Sequence, residues 1–96
     1  MVVLITYDVS TASEGGARRL RRVAKACLDY GQRVQNSVFE CKLEPDDLVF
    51  LKKRLLDLID PALDSLRFYH LGREWKRRVE HYGAKPALDP DGPLIV

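Results

Sequence analysis

The sequence contains no apolar run that approaches the ~20 residues a membrane-spanning helix requires. Its amino terminus also lacks the basic start, the apolar stretch and the small-residue cleavage site of a secretory signal peptide. From these two absences we expect a cytoplasmic protein that makes no use of a membrane.

Cysteine is scarce, and the two that occur, Cys27 and Cys41, are separated by fourteen positions. Neither has a second metal-ligating residue nearby at the spacing of a zinc site. A structural disulfide is disfavoured in a reducing cytoplasm. We therefore expect two buried thiols rather than a metal centre or a cross-link.

Neither sign of charge dominates, since sixteen Lys and Arg oppose fourteen Asp and Glu and leave a formal net charge of +2. The 96 residues, 46% of them hydrophobic, are enough for one hydrophobic core but not for two. Two clusters of cations nevertheless stand out, one at residues 18–25 and one at residues 73–78. Local positive surfaces on a nearly neutral protein are typical of phosphate binding.

The first predicted element is an apolar strand that ends on an acid. Residues 2–8 are rich in Val and Ile and show no helical period, which indicates a central strand. A helix is predicted over residues 17–30, because its apolar residues form one stripe and Gly31 is a common helix-closing residue. A carboxylate beside a hydrophobic core is costly unless a charged or hydrogen-bonding group meets it. Asp8 is therefore either satisfied structurally or functional.

The remaining elements complete an α+β pattern. Residues 33–43 read as extended, but their apolar positions change face near Ser37, which indicates either a bulge or a strand covered on both faces. A second helix is predicted over residues 45–60, followed by strands over 65–71 and 78–82. The order β-α-β-α-β-β fits a ferredoxin-like fold, a four-stranded antiparallel sheet with two helices on one face.

We expect this domain to occupy residues 1–83 and a carboxy-terminal extension with a short edge strand to occupy 84–96. Two helices cover only one face of the sheet, although the first two strands carry apolar residues on both faces. A homodimer that packs sheet against sheet would cover the second face. The apolar residues 94–96 could add a strand to the edge of a partner.

Three segments resemble the small CRISPR-associated protein two family. They are Tyr7-Asp8-Val9-Ser10, the basic helix around residues 18–25, and the segment YGQRVQNSVFE at residues 30–40. The third segment is long and composite, so a chance match would be rare. The resemblance covers residues 3–41 closely and continues through nearly the whole chain.

The resemblance implies a ferredoxin-like homodimer that binds nucleic acid, associates with the CRISPR integrase subunit and, in some members, cleaves RNA or DNA with Mg²⁺. It also implies that Asp8 is the catalytic and metal-binding acid. One carboxylate holds Mg²⁺ weakly, whereas two Asp8 side chains brought together across a two-fold axis would share the ion. The alternative is a structural Asp8 that accepts hydrogen bonds from the amides of Ser10 or Thr11. Tyr7 and Ser10 are predicted to support Asp8.

The predicted nucleic-acid contacts are Lys and Arg side chains. For those on the first predicted helix, the alternative is an ordinary solvent-exposed helix face. For Arg33 the alternative is a hydrogen-bonded patch at a bulge or a dimer contact. Three functions stay open: a Mg²⁺-dependent endonuclease of the endoribonuclease type, a non-catalytic scaffold that holds DNA for the integrase, and an unrelated ferredoxin-like ligand- or RNA-binding module. The predicted contacts are Arg18, Arg19, Arg21, Arg22, Lys25, Arg33, Arg77 and Arg78.

Overall fold

A computed structural model describes residues 1–10, 14–71 and 79–84. Within these ranges the chain forms β1 (Val2–Asp8), α1 (Gly16–Leu28), β2 (Gly31–Gln35), β3 (Val38–Lys42), α2 (Pro45–Leu58), β4 (Ser65–His70) and β5 (Val79–Gly83). The strands pair antiparallel in one sheet of order β2-β3-β1-β4-β5. The predicted α+β class with two helices is confirmed. Neither helix is long and apolar enough to cross a membrane.

The sheet has five strands where the sequence predicted four, because the segment predicted as one strand over 33–43 is a hairpin. The chain turns at Asn36 and Ser37, so that β2 and β3 run in opposite directions. The register of the pair also shifts between Arg33 and Gln35. This turn and the register shift, rather than a bulge in a continuous strand, explain why the apolar positions change face near Ser37.

One face of the sheet carries both helices and the core. Val3, Ile5 and Tyr7 alternate along β1 and are buried, and Ile5 lies between Phe39 of β3 and Phe68 of β4. Both helices contribute apolar residues to this same cluster. The intervening residues of β1 face the opposite side of the sheet. The helix residues that complete the core are Val23, Ala24, Ala26, Cys27, Leu48, Leu51 and Leu55.

Of two further predictions, the one for the cysteines is confirmed and the one for Gly31 is wrong. Cys27 and Cys41 are free and buried, as predicted. Gly31, in contrast, does not close α1, which ends at Leu28. It begins β2, and a Cβ atom there would lie 2.0 Å from the carbonyl oxygen of Glu40 on β3. Gly31 is therefore required by the close approach of the hairpin strands and not by a helix end.

The predicted carboxy-terminal extension is almost entirely outside the described residues, which include only Ala84 of it. Its edge strand and the apolar residues 94–96 therefore stay predictions.

Candidate functional site

Asp8 is the last residue of β1 and is exposed on the sheet face that the helices leave open. It pairs across β1 and β4 with Ser65, which in turn pairs with Gly83 of β5. The residues two positions away on each strand point to the same face, which places Arg67 and His81 in the neighbouring row. Because Asp8 is exposed, its carboxylate does not carry the burial penalty that the sequence suggested.

A serine and a histidine lie in hydrogen-bond contact beside Asp8 on this open face. The Ser65 hydroxyl is 2.6 Å from Nε2 of His81. Burial, together with the charge of Arg67, holds the pKa of His81 below its ordinary value, so that its imidazole is neutral at pH 7. No sequence pattern predicts this pair, because only the register of β4 with β1 and β5 brings it near Asp8.

A single copy offers little to a metal ion. The described ranges contain no group of three or more His, Cys, Asp or Glu that could hold one. Asp8 alone would leave Mg²⁺, which takes about six oxygen ligands, with mostly water around it. Firm binding at Asp8 therefore requires a second source of carboxylate.

Among the described residues, Asp64, immediately before β4, is a fully buried carboxylate. The Tyr7 hydroxyl donates a hydrogen bond to it. Arg19 donates through Nε at 2.7 Å and Nη2 at 3.1 Å. The backbone amides of Ser10 and Asp60 donate at 3.3 Å and 3.1 Å. These contacts attach Tyr7 and Ser10 to Asp64, whereas the sequence assigned both to Asp8.

The charges in this cluster are fixed by its hydrogen bonds. Burial raises the pKa of Asp64, but the hydrogen bonds from Arg19 and Tyr7 outweigh burial and leave the pKa below its usual range. Burial and the hydrogen bond to Asp64 both raise the pKa of Tyr7. Asp64 and Arg19 are therefore ionised and Tyr7 is neutral at pH 7. The cluster stabilises the fold and has no proton to exchange near pH 7.

The predicted nucleic-acid contacts fall into three groups. Arg19 is engaged with Asp64, so its guanidinium has an intramolecular role. Arg33 is exposed on the edge strand β2, with its guanidinium carbon 5.3 Å from the ring centroid of Phe39. Arg77 and Arg78 lie outside the described residues. The side chains that α1 presents to solvent are Arg18, Arg21, Arg22 and Lys25.

Comparison with known proteins gives a consistent result. Residues 1–79 match the family model described as CRISPR associated protein Cas2. The chain is 65% identical over 95 residues to a CRISPR-associated endoribonuclease Cas2 of Rhodospirillum rubrum, covering 99% of this chain and all of that protein. It is 61% identical over 95 residues to a CRISPR-associated endonuclease Cas2 of Halalkalibacterium halodurans, with 99% of each chain covered.

The solved structures agree with the sequence matches. The crystal structure of Streptococcus pyogenes Cas2 at pH 6.5 superposes with a TM-score of 0.72 at 59% sequence identity. The alignment covers 86% of this chain and all of that one.

Proposed function

Because the chain belongs to the CRISPR-associated Cas2 family, we propose that it is a dimeric, Mg²⁺-dependent endonuclease of CRISPR adaptation that cleaves a nucleic-acid phosphodiester. The observation that carries the proposal is the position of Asp8, an exposed carboxylate at the end of a central strand. The names of the relatives from Rhodospirillum rubrum and Halalkalibacterium halodurans, an endoribonuclease and an endonuclease, support the reaction class.

The open sheet face supports dimerisation. Leu4, Tyr69 and Val79 form a row of partly exposed apolar residues across β1, β4 and β5, and Val38 lies on the same face of β3. A second copy packed on this face would remove the row from water. A two-fold axis near the end of β1 would also bring two Asp8 side chains together.

Two Asp8 carboxylates fit Mg²⁺ better than one. They supply hard oxygen ligands and two negative charges, and the ion would relieve the repulsion between them. When bound, the metal would polarise the phosphodiester and lower the pKa of an attacking water. The exposed cations of α1 would hold the phosphate backbone without reading its sequence.

Two finer assignments belong to the same proposal. The strand order β2-β3-β1-β4 and the element order β-α-β-β-α-β support a ferredoxin-like core, with β5 added at the edge of β4. The protein would act in a complex with the CRISPR integrase subunit, as the family assignment implies.

Replacement of Asp8 by Asn tests the catalytic assignment. We expect Asp8→Asn to lower Mg²⁺-dependent cleavage about 100-fold or more, because the uncharged amide no longer holds the metal. Dimerisation and nucleic-acid binding should persist. Cleavage is measured on RNA, single-stranded DNA and duplex DNA with and without Mg²⁺. Asp57→Asn, which neutralises an exposed acid on α2, is the matched control.

The exposed arginines of α1 favour a second candidate function, a non-catalytic scaffold that holds DNA for the integrase. The same panel separates the two functions. A wild-type protein that binds duplex DNA with a steep salt dependence but cuts none of the substrates would support the scaffold. Equal cleavage by wild type and Asp8→Asn would contradict the assignment of Asp8.

A further inference from the structure

We propose that His81 is the proton acceptor of the nuclease reaction and that Ser65 positions its imidazole, an inference that rests on the proposed function of Asp8. Asp8 and Ser65 are cross-strand partners, and His81 lies on the same sheet face in the next row. The 2.6 Å contact between Ser65 Oγ and His81 Nε2 joins the two rows diagonally. Three polar groups from three adjacent strands therefore lie on the same sheet face, near the end of β1.

The spacing suits a phosphodiester. Asp8 is on β1 and His81 is on β5, two strand spacings away and two residues along the strand, or about 12 Å apart at the backbone. The side chain of Ser65 lies on the strand between them. A phosphate and an attacking water would lie over Ser65, with the carboxylate at one end and the imidazole at the other.

Strand β5 is held firmly on its other face. Lys52 of α2 donates to both carboxylate oxygens of Glu80, at 2.9 Å and 2.7 Å, and Nε2 of His70 is 2.7 Å from Glu80 Oε1. Successive residues of a strand point to opposite faces, so this anchor fixes the backbone from which His81 projects. A fixed backbone and a hydrogen-bonded ring are what a proton-transfer group requires.

The proposed step balances in atoms and charge. A water oxygen forms a bond to phosphorus, the bond from phosphorus to the leaving sugar oxygen breaks, and the water proton passes to Nδ1 of His81, the ring nitrogen that does not contact Ser65. The leaving oxygen takes a proton from solvent. In the tautomer that accepts this proton, Nε2 of His81 donates to the Ser65 hydroxyl oxygen, and the contact orients the ring.

The surroundings keep the imidazole neutral and able to accept a proton. Arg67 of β4 is its cross-strand partner, and burial together with this charge lowers the pKa of His81. Asp8 of β1 is a second charged group near the pair on this face. The positive charge of Arg67 also favours a phosphate in the same space.

The test is the pH dependence of kcat/KM for cleavage between pH 5 and 8.5 at saturating Mg²⁺. Wild type should show a rising acidic limb with a midpoint below the ordinary histidine value of about 6.5. His81→Gln should lower kcat/KM about 100-fold and abolish that limb. Added imidazole should restore part of the rate of His81→Ala, and His81→Asn repeats the test with a smaller side chain.

Two further variants separate catalysis from structure. Ser65→Ala should keep the acidic limb but shift its midpoint, because it changes the environment of the ring without removing it. The only other histidine of the chain is His70, which faces the helices. His70→Gln retains a donor for Glu80 and should leave the limb in place.

Different experimental outcomes would refute the role of His81 alone or the proposed function as a whole. If Asp8→Asn is inactive while His81→Gln keeps the wild-type rate and acidic limb, the role of His81 is refuted and that of Asp8 stands. If imidazole does not restore His81→Ala although the variant melts like wild type, proton transfer by His81 is also refuted. A wild-type protein without nuclease activity removes the proposed function and this inference together.

Discussion

At the scale of single residues, two aspartates differ in their surroundings and in the roles that we propose for them. Asp64 is fully buried and accepts hydrogen bonds from Tyr7, from Arg19 and from two backbone amides. Asp8 is exposed at the end of β1. A buried carboxylate is tolerated only when charged and hydrogen-bonding partners surround it, and Asp64 meets that condition. The exposed Asp8 has no comparable burial cost to offset, so we expect its replacement to leave the fold intact.

We expect Asp64→Asn to lower the free energy of unfolding by about 2–4 kcal/mol at pH 7. The amide cannot satisfy Arg19, whose side chain is 17% exposed and so keeps part of its hydration. Because the pKa of Asp64 lies below its ordinary value of 3.8, its stabilisation is complete above that pH and is lost as the pH falls through the lowered pKa. The difference between wild type and variant should therefore shrink below about pH 4.

Urea unfolding at pH 7, 5 and 3.5 measures this difference. Asp57→Asn, on the exposed face of α2, should stay within about 0.5 kcal/mol of wild type. A difference between wild type and Asp64→Asn that does not change with pH would mean that the Asp64 charge is not the stabilising feature.

At the scale of elements, α1 contributes both to the hydrophobic core and to the solvent-exposed positive surface. Its apolar stripe enters the core, and Arg19 turns back to Asp64 at the start of β4. Arg18 and Arg22 instead point to solvent. The helix therefore contains one arginine that stabilises the fold and others that are available to phosphates, a distinction that charge counting along the helix cannot make.

The double variant Arg18→Gln/Arg22→Gln should bind duplex DNA more weakly and with a flatter salt dependence. The slope of log K against log salt should fall by about 0.9 for each phosphate that the protein no longer neutralises, or by roughly 1.8 if both arginines bind the backbone. Lys42→Gln/Lys53→Gln removes two exposed cations elsewhere and is the charge-matched control. Equal slopes in the two double variants would mean that Arg18 and Arg22 do not bind the phosphate backbone and only make the surface soluble.

At the scale of the whole molecule, the two sheet faces differ in what covers them. Both helices cover one face, while Leu4, Val38 and Tyr69 stay partly exposed on the other. A second copy on the open face would bury these residues and complete the proposed metal site. Dimerisation and catalysis are thus joined in this proposal.

We expect Val38→Glu to convert the proposed dimer to a monomer at micromolar concentration, because it places a charge on the sheet face that carries the apolar Leu4 and Tyr69. Mg²⁺-dependent cleavage should fall with the dimer. Val49→Glu makes the same exchange on α2, at a side chain that is 70% exposed, and should leave the dimer intact. Sedimentation velocity distinguishes the species. A wild-type monomer under these conditions would exclude a site built from two Asp8 side chains.

Local patterns predicted the elements more reliably than their pairing. The apolar stripe of α1 and the Pro45 start of α2 follow from neighbouring residues, and both helices lie where the sequence placed them. The hairpin at Asn36 and Ser37 was interpreted as one irregular strand, since a turn and a bulge both make apolar positions change face. The predicted partners of Asp8 depended on the same missing knowledge of pairing.

The sequence by itself determined the family, the α+β class and the position of an acid at the end of the first strand, because these features reside in contiguous residues. Only the tertiary structure decided which carboxylate is buried and which side chains share a face with Asp8. Asp64 meets Arg19 across 45 positions, and Ser65 meets His81 through the register of β4 with β5. Such contacts are set by chain packing, which no local pattern of residues encodes.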